Sequence, residues 1–257
     1  MLIPTEKVSQ ILFDVSDRVI MSRYGKLGSN EIEEKSPGDP VTVADREAEA
    51  EIGEALSSYA AEDLVVGEES VYADARIMDA LPTAEHAWVL DPIDGTSNFT
   101  KGLPDFAVML AELRYGVTVR SWIYQPVYQK LYVGEVGAGV ELNGVPLKRK
   151  VSDRTVPAGA IYIRVQDEEQ LGIQVRRSWG SAGIDYPKLL EAEIDFLSYR
   201  SMFPWDHLPA GLMINELGGK IASEEGIPYA AGVVGRRVIS AMSDFTWKRV
   251  RDAIAQR

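Results

Sequence analysis

The segment at residues 88–99, WVLDPIDGTSNF, constrains the possible folds of this chain more than any other stretch of the sequence. Its apolar start at residues 88–90 is typical of a short buried strand. Pro92 interrupts regular strand pairing and biases the residue before it away from a helix. We therefore predict a strand that stops at Asp91 and Pro92, followed at once by a tight turn that carries Asp94.

The turn places two carboxylates, Asp91 and Asp94, three residues apart. Two acids side by side are costly unless a positive charge lies between them, and oxygen ligands suit a hard cation such as Mg²⁺. The following Gly95, Thr96 and Ser97 favour a turn whose backbone N–H groups face an anion. The residues alone thus indicate a loop that holds both a metal ion and a phosphate.

The composition excludes several other kinds of site. The 257 residues contain no cysteine, which rules out disulfides, thiolate metal sites and cysteine nucleophiles, and the two histidines leave little room for a zinc site. A formal net charge of -12 argues against binding to a nucleic acid polymer or an anionic membrane. No apolar run approaches the roughly 20 residues of a membrane span, and no charged and then apolar leader precedes the start. We expect a cytoplasmic protein.

Apolar spacing and turn signals predict the order of the elements. Two amphipathic helices are expected over 5–24 and 42–59, followed by an antiparallel sheet over 106–136 that leads to a hairpin at Asn143-Gly144. Beyond a polar, basic stretch near 148–156, strands alternate with helices, which indicates layered α/β packing. The strands are expected at 158–165, 194–199 and 238–242, and the helices at 184–192 and 245–255. We divide the chain into an α+β half, 1–147, and an α/β half, 148–257, packed as one catalytic unit.

Several polar features have a structural explanation when each is considered alone. Thr42 and Asp45 have the spacing of a capping box, so a helix cap is favoured over catalysis. Residues 25–40 read either as a solvated loop or hairpin, or as a mobile flap beside an active site. Glu68 and the glutamate after it follow a predicted strand and fit a surface loop. Asp206 fits the cap of a helix.

Taken together, four ordered motifs resemble the inositol monophosphatase family of Mg²⁺-dependent, lithium-sensitive phosphatases. They are Asp45 after Val-Thr-Val-Ala, Gly67-Glu-Glu-Ser, the segment 88–99, and Trp205-Asp-x-x-x-Ala-Gly with a trailing Gly-Gly pair. The motifs span residues 39–219, and DPIDGT and WDxxxAG are highly specific. The resemblance implies an αβαβα layered sandwich of the inositol monophosphatase and fructose-1,6-bisphosphatase type, assembled as a homodimer, with the activity of a phosphoric monoester hydrolase.

The resemblance also implies two or three Mg²⁺ ions per active site. One ion is held by Glu68, Asp91 and the backbone carbonyl of Ile93. A second is held by Asp91, Asp94 and Asp206, and Glu68 contributes to a weaker third site through water. The ions neutralise phosphate charge, so few lysines or arginines are needed.

The same resemblance assigns the catalytic step to a metal-activated water that attacks phosphorus. Thr96, hydrogen-bonded to Asp45, orients and deprotonates this water, and Glu68 assists. The backbone N–H groups of Gly95 and Thr96, with Ser97 beside them, bind the phosphate that Asp94 also faces.

The substrate is specified less well. By resemblance, Gly180, Ser181 and Ala182 line the substrate pocket, but Tyr199 occupies the position where inositol-selective members carry a hydroxyl-binding glutamate. The substrate is therefore an inositol monophosphate or a related polyol or sugar phosphate, or alternatively fructose-1,6-bisphosphate or a 3′(2′),5′-bisphosphate nucleotide. A binding protein that kept the fold without catalysis is a further alternative. The roles of Arg200, beside Tyr199, and of His207 are left open. The partner is a small phosphorylated metabolite.

Overall fold

The structure is a computed structural model that describes residues 3–150, 152–161 and 172–255. Its elements stack in five layers: a helix pair, a seven-stranded sheet, a second helix pair, a five-stranded sheet and a final helix. The helices are α1 (Thr5–Val15), α2 (Val43–Ser57), α3 (Glu68–Ala73), α4 (Thr96–Thr100), α5 (Ala182–Leu190), α6 (Pro204–Glu216) and α7 (Asp244–Ala255). The strands are β1 (Ile32–Ser36), β2 (Asp39–Thr42), β3 (Leu64–Gly67), β4 (His86–Asp94), β5 (Ala107–Arg114), β6 (Val117–Gln125), β7 (Lys130–Glu135), β8 (Gly139–Leu142), β9 (Val145–Pro146), β10 (Ala158–Ile161), β11 (Gln174–Arg176), β12 (Phe196–Tyr199), β13 (Lys220–Ser223) and β14 (Val238–Ala241). The predicted αβαβα sandwich is confirmed.

The first layer is the pair α1 and α2, which packs on one face of the larger sheet. Val8 and Leu12 on α1 and Ile52 on α2 are fully buried there, at the three- and four-residue spacing of an amphipathic helix. The helix predicted over 5–24 is α-helical only as far as α1 and continues as a π-helical turn, Ser16–Met21.

The larger sheet contains the start of the segment 88–99, which lies in strand β4. Its strand order is β3-β4-β5-β6-β7-β8-β9, with β3 and β4 parallel and the other neighbours antiparallel. Because successive side chains alternate between faces, Trp88 and Leu90 face the first helix pair, whereas Ala87 and Val89 face the second. Burial on both faces explains why β4 is continuously apolar at its start.

The smaller sheet has the order β11-β10-β12-β14-β13. Strand β10 is parallel to β11 and β12, and β14 is antiparallel to β12 and β13. Helix α7 covers the outer face through the buried Trp247. The strand predicted at 158–165 is present as β10, and its remaining positions, 162–165, lie outside the described residues. Strands β11 and β13 were not predicted, because they are three and four residues long with polar positions.

The second helix pair, α5 and α6, lies between the two sheets, and Tyr186 and Met213 are fully buried there. The larger sheet ends at Pro146 and the smaller one begins at Ala158. The division of the chain at 147 and 148 stays a prediction.

The polar segment at 25–40 contains a short 3₁₀ turn, Ser29–Glu31, and leads into the antiparallel hairpin of β1 and β2. Of the predicted interpretations, the hairpin is correct, and mobility of this segment stays a prediction. Across the described residues, no helix combines the length and the apolar character that a membrane crossing requires.

Three local predictions are wrong, each for a backbone reason. Strand β4 does not stop at Pro92 but continues to Asp94, with an irregular register where proline offers no N–H to the ladder. Glu68 is not in a loop, because it is the first residue of α3. Asp206 does not cap its helix: Phe203 is the N-cap, and Asp206 lies in the first turn of α6.

Candidate active site

Three carboxylates from two elements meet at one edge of the larger sheet. Asp91 and Asp94 end β4, and Asp206 comes from the first turn of α6, which lies against this sheet. One carboxylate oxygen from each residue lies within 4.8 Å of the others. Asp91 is 2% exposed and Asp94 is 8% exposed, so water does little to screen the repulsion between their negative charges. The structure therefore brings together three of the acids that the resemblance assigned as metal ligands.

The electrostatics of this cluster favour a bound cation. Burial, followed by the charges of neighbouring carboxylates, raises the pKa of Asp91 and Asp206 well above the usual range. Burial also raises the pKa of Asp94 to about 6, although Ser181 and the Gly183 N–H donate hydrogen bonds to its Oδ2. A hard divalent cation removes this repulsion, and carboxylate oxygens are the donors that Mg²⁺ prefers. The donor set thus fits the metal that the sequence predicts.

Glu68 has a partner that the sequence did not reveal. At the start of α3, its Oε1 accepts a hydrogen bond of 2.7 Å from Lys35 Nζ on the β1–β2 hairpin. The Lys35 side chain is 4% exposed and also pairs with Glu69 at 2.5 Å. Burial lowers the pKa of Lys35, but the two glutamates outweigh it and raise that pKa overall. Glu68 is not one of the three clustered carboxylates of Asp91, Asp94 and Asp206. Its negative charge nevertheless adds to the effect of burial in raising the pKa of Asp91.

Glu49 fixes the backbone around Glu68. Its carboxylate accepts hydrogen bonds of 2.8 Å from the N–H groups of Glu69 and Ser70, at the start of α3. A Cβ on Gly67 would lie 2.1 Å from the Glu49 carboxyl carbon, so any other residue there would require the Glu49 carboxylate to move from its hydrogen bonds. In the predicted Gly-Glu-Glu-Ser motif, Gly67 thus ends β3 and Glu68 begins α3. The buried Glu49 carboxylate fixes the first turn of this helix.

Thr96 and Asp45 meet as the resemblance implied. Thr96 Oγ1 lies 3.1 Å from Asp45 Oδ1 and 3.0 Å from the Ile93 carbonyl oxygen. The predicted capping box is also present, because Asp45 Oδ2 accepts from the backbone N–H and the hydroxyl of Thr42. Burial raises the pKa of Asp45 to about 6. A threonine hydroxyl tied to a buried carboxylate is able to orient a water molecule and take up its proton.

A cavity of about 320 Å³ opens beside the acidic cluster. The predicted pocket residues Gly180, Ser181, Ala182 and Tyr199 line it, together with Asp94, Asp206, Ser178, Arg200 and Ser201. Of the predicted phosphate-binding residues, Gly95, Thr96 and Ser97 are not among these lining residues. Gly95 nevertheless lies against the pocket wall, since a Cβ there would be 2.9 Å from Ser181 Cβ, and its φ of 92° favours glycine.

The pocket wall is held from beneath by Asp185, which the sequence did not single out. Asp185 is fully buried on α5 and accepts hydrogen bonds from the hydroxyls of Ser178 and Tyr199 and from the Trp179 N–H. The Tyr199 hydroxyl thus donates to Asp185. One sequence signal could have identified Asp185. It is an acid in the first turn of α5, a few residues after the pocket residues at 178–181.

A layered α/β fold with clustered buried acids beside a small cavity is the arrangement of a metal-dependent phosphatase. Residues 5–241 match the Inositol monophosphatase family, and the chain belongs to that family. It is a phosphomonoesterase.

Two curated relatives and one solved structure illustrate the similarity. The chain is 28% identical over 254 residues to the fructose-1,6-bisphosphatase/inositol-1-monophosphatase of Aquifex aeolicus, covering 93% of this chain and 92% of the relative. It is 29% identical over 226 residues to the inositol-1-monophosphatase of Rhizobium meliloti, covering 82% and 83%. The structure of a staphylococcal IMPase complexed with products superposes with a TM-score of 0.81 at 21% identity, covering 98% of this chain and 96% of that one.

Proposed function

We propose that this protein is a Mg²⁺-dependent phosphomonoesterase that hydrolyses an inositol monophosphate or a related polyol or sugar phosphate. The observation that carries the proposal is the meeting of Asp91, Asp94 and Asp206 within 4.8 Å, two of which, Asp94 and Asp206, line a cavity of about 320 Å³. Glu68 and the carbonyl of Ile93 complete the proposed ligand set. Mg²⁺ bound there would neutralise phosphate charge and lower the pKa of water.

The chain's own residues supply the remaining steps. Asp45, held by Thr42, accepts the Thr96 hydroxyl proton, which leaves the Thr96 oxygen lone pairs directed at a water molecule. As that water attacks phosphorus, its proton passes to the Thr96 oxygen while the Thr96 proton passes to Asp45. The bond between phosphorus and the ester oxygen breaks, and the departing oxygen takes a proton from solvent and leaves as the free alcohol. The Gly95 and Thr96 N–H groups are proposed to bind the phosphate, and the polar pocket wall binds the rest of the ester.

Arg200 favours a second candidate, a substrate with two phosphates such as fructose-1,6-bisphosphate. It is the cationic residue among those that line the cavity, whereas Ser178, Gly180 and Ser181 are neutral. A guanidinium at the rim suits a second anionic group of the substrate. The similarity to a relative named for both activities supports this candidate.

The test is phosphate release from a panel of inositol, sugar and nucleotide phosphates, with Mg²⁺, with EDTA and with added Li⁺. We expect turnover that requires Mg²⁺, is inhibited by Li⁺ and is fastest on a polyol or sugar phosphate. Faster turnover on a bisphosphate would select the second candidate. Absence of Mg²⁺-dependent turnover on every ester would refute the phosphatase proposal.

The proposed homodimer is tested separately. Size-exclusion chromatography with light scattering should give twice the 28.4 kDa mass of one chain. A single-chain mass at the enzyme concentration of the assay would contradict it.

A further inference from the structure

The loop of residues 200–203 joins β12 to α6 and forms one side of the cavity. Arg200 and Ser201 line this cavity beside Asp206. The Ser201 side chain also acts on Asp206, because it opposes the rise in the Asp206 pKa that burial and the neighbouring acids cause. The loop therefore forms part of the wall of the pocket in which the ester is proposed to bind.

A fully buried histidine holds this loop by its backbone. His207 Nε2 lies 3.0 Å from the carbonyl oxygen of Ser201. Because a carbonyl only accepts hydrogen bonds, Nε2 carries the proton. The other ring nitrogen, Nδ1, then accepts from the hydroxyl of Tyr186, which lies 2.8 Å away on α5. Both ring nitrogens are used, so His207 is not available as a metal ligand.

The partners of His207 are themselves fixed. Tyr186 is fully buried, and Ser240 Oγ lies 3.5 Å from its hydroxyl. The neighbouring carbonyl of the loop, that of Met202, accepts 2.8 Å from the hydroxyl of Tyr229, whose ring packs edge-on against His207 at 5.4 Å. Consecutive backbone carbonyls of the loop are thus bonded to side chains anchored in the core.

We propose that His207 is a positioning residue for substrate recognition: through the Ser201 carbonyl it holds the 200–203 loop in the conformation that binds the organic part of the phosphate ester. Its backbone follows Asp206 directly, but its two ring nitrogens bond Ser201 and Tyr186 and neither of them bonds a predicted metal ligand. Its loss should therefore change substrate binding more than the chemical step. The inference rests on the proposed function only for its kinetic test.

Two substitutions of similar size separate the hydrogen bonds. The amide of His207→Gln reaches the position of Nε2 and can donate to the Ser201 carbonyl, whereas the shorter amide of His207→Asn reaches only the position of Nδ1 and Tyr186. Tyr132→Phe is the control, because it removes the bond from a buried tyrosine hydroxyl to Glu191, away from the cavity.

The kinetic test uses the ester that the wild-type protein hydrolyses fastest in the panel. We expect His207→Asn to raise KM about tenfold, as for the loss of one buried neutral hydrogen bond, with kcat and the Mg²⁺ dependence within about threefold of wild type. His207→Gln should restore KM to within about threefold, and Tyr132→Phe should leave it unchanged. Equal KM in all four proteins, or a loss confined to kcat, would overturn the proposal.

A second readout does not need activity. Hydrogen exchange of the peptide that spans residues 200–203, followed by mass spectrometry, should be faster in His207→Asn than in wild type and should return toward the wild-type rate in His207→Gln. If no ester is hydrolysed by wild type, the proposed function fails while this measurement still decides the role of His207. Identical exchange in the two variants would refute the positioning role.

Discussion

Neutralising one acid of the cluster should stabilise the metal-free protein while it abolishes activity. We expect Asp91→Asn to raise the free energy of unfolding in EDTA at pH 7. The Asn oxygen can keep the 3.1 Å hydrogen bond from the Ile93 N–H. Its NH₂ group can donate to Asp94 or Asp206, whose oxygens lie within 4.8 Å of that of Asp91. A repulsion is thus replaced by a hydrogen bond.

The magnitude follows from the distances. Two charges no more than 4.8 Å apart repel by at least ~3.5 kcal/mol at an effective dielectric constant of 20. Protonation limits this cost, because a carboxyl whose reference pKa is 3.8 can take up a proton at pH 7 for about 4 kcal/mol. We therefore expect a stabilisation of ~1–4 kcal/mol, and each kcal/mol corresponds to about 2–4 °C in Tm for a chain of this size.

The pH dependence has a definite sign. Since the folded-state pKa of Asp91 is raised by burial and by its acidic neighbours, Asp91 binds more protons in the folded metal-free protein than in the unfolded chain at pH values above its reference pKa of 3.8. The contribution of Asp91 to wild-type stability in EDTA should therefore fall as pH rises from that value through the raised pKa. The difference between Asp91→Asn and wild type should accordingly be smaller at pH 5 than at pH 7.

Differential scanning fluorimetry in EDTA and in Mg²⁺ measures both effects. Wild type should gain Tm on addition of Mg²⁺, and Asp91→Asn should gain much less. Asp185→Asn is the matched control: this buried acid accepts three hydrogen bonds and is not among the three clustered carboxylates, so the substitution should lower Tm. A lower Tm for Asp91→Asn than for wild type in EDTA would refute the electrostatic reasoning.

Substitutions at three other positions test separate parts of the site. Thr96→Ala should lower kcat by roughly 10²-fold with little change in KM, because Asp45 then has no hydroxyl to act through, while Thr96→Ser should keep most of the activity; a change confined to KM would make Thr96 a binding residue. Gly67→Ala should lower Tm by several degrees, since its Cβ would lie 2.1 Å from the Glu49 carboxyl carbon; an unchanged Tm would show that this acid moves freely. Arg200→Ala should raise KM about tenfold for fructose-1,6-bisphosphate and less than threefold for inositol monophosphate, as expected for one charge-assisted contact; equal effects on the two esters would exclude a second anion site.

Local sequence patterns were sufficient for much of the fold. The apolar start of residues 88–99 predicted β4, and the spacing of Thr42 and Asp45 predicted the start of α2. These signals are short-range, because they depend on residues within one turn or one strand. Strand β13, by contrast, has four residues that start with a lysine, and it exists because β14 offers it a hydrogen-bonding edge. A pattern that depends on a distant partner is invisible in a single sequence.

The candidate site shows the same limit. The acids were found because their motifs are specific, but the residues that hold them were not. Lys35 lies 33 positions before Glu68, and Glu49 lies 20 positions before Glu69. Each alone is an ordinary charged residue on a hairpin or a helix of an acidic chain. Lys35 and Glu49 contact the site only because the β1–β2 hairpin and α2 pack beside α3 in the folded protein.

The capping box illustrates why a structural and a catalytic interpretation of one residue need not exclude each other. Asp45 uses Oδ2 for the N–H and hydroxyl of Thr42, and Oδ1 for the hydroxyl of Thr96. The cap thereby fixes the rotation of the carboxylate, and this rotation directs the second oxygen at Thr96. An acid that was free of the cap would have to lose side-chain entropy to reach the same geometry. The helix start is therefore part of the site, since the bonds that begin α2 also orient the group proposed to activate water.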